Sequence, residues 1–224
     1  MDTVHAWVVP SGHRSRADAR QLLAEAGARV LGTDPAKLVV GRAVTGQPTV
    51  EAPDATGQAW VSLSYGPGVL AVAASLAGPV GIDVEGPSRP EVVRLAERWF
   101  DPDEAAWLSS RPAADQPTEF LLLWTAKEAL GKALGTGLRG EGLRRRVPLP
   151  PRTDGSFQAL PDGLWLAHPV LGTPLVLAIA SGAAVSTVVV HRPGARDPHG
   201  AAPDPLARST ARSRTSLPVV VRGN

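Results

Sequence analysis

Residues 124–138 read WTAKEALGKALGTGL. Alanine and leucine recur at helical spacing up to Leu134, and Gly135-Thr136-Gly137 then breaks the pattern. The stretch is therefore the end of a long helix, expected over 116–135, that runs out into a glycine-rich loop. Glu128 and Lys132 are four apart and project from one face as neighbours, with Trp124 one turn earlier. Gly131 and Gly135 each cost about 1 kcal/mol relative to alanine in a helix. Close approach of a ligand or of another backbone would account for them. Upstream, Val80-Gly81-Ile82-Asp83-Val84-Glu85 alternates in the manner of a strand. Val80, Ile82 and Val84 fall on one face, and Gly81, Asp83 and Glu85 on the other.

Working outward, strands are expected at 4–9, 37–44, 59–64, 69–76, 164–168, 174–180 and 186–191. A helix capped by Ser11 or Ser15 should run to about Leu31, with Leu22, Leu23, Ala26 and Val30 inward. Two more helices are expected at 90–100 and 102–110. The second opens with Asp101-Pro102-Asp103-Glu104: an N-cap Asp, Pro at the first helical position and Glu at the third. Turns are expected at Thr45–Pro48 and Tyr65–Gly68, and Gly78-Pro79 breaks the chain. The order β-α-β-β-β followed by β-α-α-α-β-β-β gives an α+β class. It divides into two similar halves, 1–78 and 79–191, each a small mostly antiparallel sheet packed on a long helix. Residues 192–224, rich in Pro, Ala and Arg, are expected to be a disordered tail. The apolar scrap Leu217–Val221 is too short to alter that expectation.

Composition narrows the chemistry. The 224 residues carry a net charge of +2. Six Arg and two Asp give residues 192–224 a charge of +4, so the body is slightly acidic. No aromatic residue interleaves the arginines of the tail, and nucleic-acid binding is not expected. With no cysteine there is no disulfide or thiolate metal site. No apolar run is long enough to cross a bilayer, and no leader peptide is expected at the N-terminus. A cytoplasmic protein is the expectation. Histidines 5, 13, 168, 191 and 199 lack metal-ligand spacing, and neither a nucleophile elbow nor a P-loop is present. Lysine occurs three times, at 37, 127 and 132, so two of the three stand in the central helix.

Two carboxylates on one strand face repel each other and are costly to hold ionised without a cation. Magnesium takes oxygen ligands and typically combines a few carboxylates with substrate phosphates. Asp83 and Glu85 could supply two such oxygens and Glu128 a third, with Lys132 pairing a phosphate. That combination suggests phosphate-ester or pyrophosphate chemistry. The residues alone leave a plainer reading open. Asp-x-Glu is often a solvated strand end, and Glu–Lys at i, i+4 is often a surface pair of about 0.3–0.5 kcal/mol. The arginines at 144–146 fit either a solvated loop or a surface for an acidic partner.

Gly81, Ile82, Asp83 and Glu85, followed about 40 residues later by Trp124, Lys127, Glu128, Ala129, Lys132, Gly135, Gly137 and Leu138, resemble the two signature motifs of the 4'-phosphopantetheinyl transferase superfamily. The intervening AERWFDPDEAAWL (96–108) resembles the helix pair of that family. Chain length and the two-halved layout resemble the surfactin-synthetase-activating type, in which two similar halves form one monomer. The resemblance implies that coenzyme A lies in a cleft between the halves. It implies magnesium on Asp83, Glu85 and Glu128, and attack by a serine hydroxyl of an apo carrier protein on the β-phosphorus, releasing 3',5'-adenosine bisphosphate. The carrier would belong to polyketide, nonribosomal-peptide or fatty-acid synthesis. Glu128, or a water it orients, would accept the serine proton. Lys132 would stabilise charge on the pyrophosphate, with Lys127 a second cation.

The N-terminal half departs from the family pattern. Gly46-Gln47-Pro48 stands where the family carries Gly-Lys/Arg-Pro, and Ser64-Tyr65 where it carries Ser-His. Both family positions touch the nucleotide end of coenzyme A. Tyr65 can still donate a hydrogen bond, and Arg14, Arg16 or Arg42 would supply charge. These departures motivate an alternative: a non-catalytic homologue that docks carrier proteins and has lost tight coenzyme A binding. A metal-dependent phosphohydrolase using the same carboxylates is a further alternative.

Overall fold

The computed structural model describes residues 3–11, 16–53, 57–87, 91–192 and 219–222. Strand β1 (Thr3–Pro10) leads to helix α1 (Arg16–Leu31). Strands β2 (Val39–Arg42), β3 (Pro48–Glu51), β4 (Gln58–Gly66), β5 (Val69–Ser75) and β6 (Val80–Glu85) follow. Helices α2 (Val92–Trp99), α3 (Pro102–Ser109) and α4 (Gln116–Ala133) come next. Strands β7 (Gln158–Ala159), β8 (Trp165–Ala167), β9 (Val176–Ser181), β10 (Thr187–His191) and β11 (Val219–Arg222) complete the order.

The strands form two sheets, β11-β10-β1-β5-β4-β3-β2 and β6-β9-β8-β7. The chain is thus a mixed α and β structure, as expected. Apolar alternation lets each sheet bury both faces. Trp7, Val9, Leu70 and Val72 face Leu22, Leu23 and Ala26 of α1. Val4, Ala6, Val8 and Ala71 face the other way, onto Ile82, Val84, Leu177 and Ile179 of the small sheet. Ala178 and Ala180, on the far side of the small sheet, meet Phe120, Leu123, Ala126 and Leu130 of α4. The layers are therefore α1, large sheet, small sheet, and α2–α4.

Local chemistry explains most boundaries. Asp101 caps α3 by accepting from Asp103 N, and the Glu104 side chain accepts from Asp101 N, which completes the expected capping box. Two expectations need correction. The strand expected over 37–44 is shorter, because Asp34 accepts from Ala36 N and Pro35 starts a 3-10 turn over Pro35–Lys37. The turn expected at 45–48 closes earlier, with Gly46 N donating to Ala43 O and Ala43 N to Gln47 O. Pro48 consequently opens a strand that the sequence did not announce. Its partner β2 pairs with it from Val39↔Glu51 to Arg42↔Pro48.

The C-terminal strands do not all stay with their half. β8 and β9 join β6 in the small sheet, whereas β10 lies parallel to β1 in the large one, with Thr3 beside Thr187 and Trp7 beside His191. Of the stretch expected to be a disordered tail, residues 193–218 and 223–224 lie outside the described residues. Val219–Arg222 run antiparallel to β10. Among the described residues, no helix is long and apolar enough to cross a membrane.

Candidate active site

The site forms where β6, the C-terminal end of α4 and the β2–β3 hairpin meet. Among the described residues β6 is an edge strand, paired only with β9. An open edge exposes backbone donors and acceptors that need partners. Here side chains supply them. Ile82 N donates to Ser62 Oγ at 3.2 Å, and Ile82 O accepts from Lys132 Nζ at 3.0 Å. The alternation along β6 is as expected. Val80, Ile82 and Val84 point into the inter-sheet core, and a Cβ on Gly81 would meet Ala129 O of α4 at 1.9 Å. Gly81 therefore lets α4 lie directly on β6.

That approach brings Asp83 and Lys132 together. Asp83 is 4% exposed. Its Oδ1 accepts from Lys132 Nζ at 2.8 Å and from Ser64 Oγ at 2.7 Å. Its Oδ2 is buried, and no donor among the described residues reaches it. A buried carboxylate oxygen without a donor costs roughly 1–3 kcal/mol or more, so Oδ2 suits a cation or a ligand's donor. Ser64 thus orients an acid, and Ser62 an edge strand.

The end of α4 is shaped by glycine. Thr136 N and Gly137 N both donate to Gly131 O, and a Cβ on Gly131 would lie 2.1 Å from Gly137 O. Gly135 adopts φ +71°, the left-handed conformation that ends a helix without strain. A close backbone approach is therefore the reason for Gly131, as the sequence suggested. Beside this turn opens a cleft of about 270 Å³. The hairpin lines it with Arg42, Gly46 and Gln47, and α4 with Gly131 and Lys132. Leu23 and Val61 add an apolar wall that sequence reasoning missed, because a single apolar residue on a helix or strand gives no sign of facing a cleft. Gln47 Nε2 donates to the Lys132 carbonyl, and Arg42 Nη1 to Gly46 O at 2.7 Å.

The structure gathers Arg42, Gly46, Gln47, Ser64, Asp83 and Lys132, and leaves other candidates elsewhere. Tyr65 is 55% exposed and does not line the cleft. Arg14 and the side chain of Arg16 lie outside the described residues. Lys127 requires correction as a second cation of the site. It is 1% exposed, and its Nζ donates to Glu104 Oε2 at 2.6 Å and to the Arg145 carbonyl. It also sits 4.9 Å from the centre of the Phe100 ring. Burial pushes its ammonium down from the ordinary lysine range, and Glu104 opposes that shift. Trp124 likewise turns to the aromatic cluster, 5.8 Å from Phe120 between ring centres. Two of the arginines at 144–146 are held internally: Arg145 pairs with Asp162 at 2.5 Å, and Arg146 with Asp101 at 2.9 Å and Asp103 at 2.8 Å.

The three carboxylates expected to share a metal are placed on two touching elements, Asp83 and Glu85 on β6 and Glu128 on α4. Among the described residues, no three His, Cys, Asp or Glu side chains are gathered as a metal cage. The Lys132 ammonium stands against Asp83. One oxygen of the buried Asp83 nevertheless has no donor among the described residues, and a carboxylate oxygen of that kind suits a hard cation.

Residues 79–176 match the model of the 4'-phosphopantetheinyl transferase superfamily. A 4'-phosphopantetheinyl transferase of Bacillus subtilis is 33% identical over 118 residues, 52% of this chain and 50% of that protein. The transferase gsp of Aneurinibacillus migulanus is 42% identical over 60 residues, and psf-1 of Bacillus pumilus 45% over 60 residues. Each of those two matches covers 27% of this chain and 25% of the relative. The matched stretch thus spans half or less of these relatives. Residues 79–176, which carry Asp83, Glu128 and Lys132, are similar to the 4'-phosphopantetheinyl transferase superfamily.

Proposed function

We propose that the chain is a 4'-phosphopantetheinyl transferase, which moves the phosphopantetheine arm of coenzyme A onto a serine of an apo carrier protein. The observation that carries this reading is the contact between Lys132 and the buried Asp83 beside a glycine-edged cleft. The reaction joins the serine oxygen to the β-phosphorus and breaks the bond to the departing 3',5'-adenosine bisphosphate, which keeps the electron pair. Asp83, Glu85 and Glu128 would hold magnesium, which when bound polarises a phosphoryl oxygen.

The chain's own residues do the rest. Ser64 orients Asp83 through its 2.7 Å hydrogen bond. Lys132 supplies positive charge for the pyrophosphate, and moves its ammonium from Asp83 to do so. Glu128, directly or through a water, takes the serine proton. Arg42, Gly46 and Gln47 line the cleft and would border the nucleotide end of coenzyme A. The hairpin comes from the N-terminal half and the signature residues from the C-terminal half. The chain would act as a monomer, an intramolecular pseudo-dimer whose cleft needs both halves.

Mass spectrometry of an apo carrier protein incubated with the chain, coenzyme A and magnesium tests this. One added phosphopantetheine is expected, with the rate falling at least 10²-fold in Asp83→Ala and Glu128→Ala. No addition on carriers of polyketide, nonribosomal-peptide and fatty-acid type would overturn it. Carrier binding in calorimetry without any coenzyme A binding would point instead to a non-catalytic docking protein.

A further inference from the structure

We propose that Gln47 is a positioning residue, a latch from the β2–β3 hairpin onto the last turn of α4 that sets where Lys132 stands and how wide the cleft opens. The inference rests on the transferase reading for its kinetic consequence, but not for its structural one.

The last carbonyls of a helix lack intrahelical donors. The Lys132 carbonyl accepts from the main chain of Leu134 and, at 3.2 Å, of Gly135, and it also takes the Gln47 Nε2 donor. The other end of the Gln47 amide is held as well. Thr45 Oγ1 donates to Gln47 Oε1 at 3.3 Å, and a Cβ on Gly135 would lie 2.6 Å from that oxygen. Gly135 is thus needed twice, for its positive φ and for the space that Gln47 fills. Arg42 bonds Gly46 O across the hairpin loop and stiffens the side from which the latch reaches. The same residue whose carbonyl is gripped sends its Nζ to Asp83 and Ile82 O. Hairpin, helix end and β6 therefore meet through one residue.

The cleft of about 270 Å³ lies just below the roughly 300–1,000 Å³ of small-molecule sites. Gln47 joins two of the walls of this cleft, so the latch bounds how far they part. The latch accordingly trades easy entry for a fixed Lys132. Misplacing a catalytic group by about 1 Å can cost 10²-fold in rate.

Gln47→Glu keeps the side chain's size and removes its donor; Gln47→Arg keeps a donor that reaches the carbonyl. In the ligand-free chain, amide exchange at residues 131–137 should rise about fivefold or more in Gln47→Glu and return to the starting rate in Gln47→Arg. In carrier modification, Gln47→Glu should lower kcat about tenfold with KM for coenzyme A unchanged or lower, and Gln47→Arg should recover kcat to within about twofold. Unchanged exchange at 131–137 in Gln47→Glu overturns the latch. So does a raised KM with kcat intact, which would make Gln47 a residue that grips the ligand. Should the unaltered chain modify no carrier, the transferase reading fails on its own, and the exchange experiment still decides the latch.

Discussion

Lys127 and Lys132 lie five positions apart on one helix and meet different fates. Lys132 reaches out at the helix end to an acid on β6, while Lys127 is shut inside the layer of helices with Glu104. Glu104 is 1% exposed and satisfies three donors besides its charge: Asp101 N, Val147 N and the Lys127 ammonium all point at it. Removing one member of a buried ion pair costs about 3–5 kcal/mol, because the other is left uncompensated. Lys127→Ala should therefore lose that much in urea unfolding, while the coenzyme A binding proposed above stays the same in the fraction still folded. A well-folded variant with impaired coenzyme A binding would return Lys127 to the site. The sequence shows two lysines in a signature motif, but periodicity alone does not separate them. Five positions turn a helix by about 140° beyond a full circle, and only the surrounding elements decide which direction is solvent.

Among the elements, the seating of α4 on β6 governs the site. Gly81 permits it from below, and Gly131 permits the helix end to fold back against Gly137. A methyl at Gly81 would lie 1.9 Å from the Ala129 carbonyl, a backbone atom with no rotamer to yield. Gly81→Ala should lose about 3 kcal/mol or more, read as a lowered urea midpoint with the slope retained. A change under about 1 kcal/mol would mean that α4 rides more loosely than its backbone contacts require. The helices and β6 were legible because the capping box of α3, proline at the first turn of α3 and α4, helical apolar spacing and strict alternation are local signals. Strand β3 was not. It starts at Pro48, four residues long, and is held in place by its pairing with β2 and β4.

At the scale of the molecule, the buried His168 and the half-buried His5 give the protein a shared acid limit. His168 is 5% exposed with Nε2 3.0 Å from Leu122 O, and His5 stands with Nδ1 3.1 Å from His191 Nε2 where β1 meets β10. Burial lowers both to about 4, and for His5 the neighbouring His191 and then Arg29 add to the effect. An unfolded imidazole takes up its proton near 6.5. Between those values the unfolded chain binds more protons, so stability rises with pH. It is complete above pH 6.5 and falls as pH drops toward 4, by about 3 kcal/mol for His168 and less for the partly exposed His5. Urea unfolding across that range should show the slope, and His168→Gln should flatten it; an unchanged slope would show that His168 does not carry it. By itself the sequence determined the helices, most strands, the mixed class and the acid–lysine motif, because each is written in residues a few positions apart. The tertiary structure alone decided that β10 crosses to the first sheet, that Lys127 is core, that Lys132 stands on Asp83, and that Gln47 reaches α4. Except for the Lys127–Glu104 pair, 23 residues apart, those pairings join residues separated by 49 or more positions. Such separations are bridged by packed layers, and no local periodicity encodes which side chain a distant layer will present.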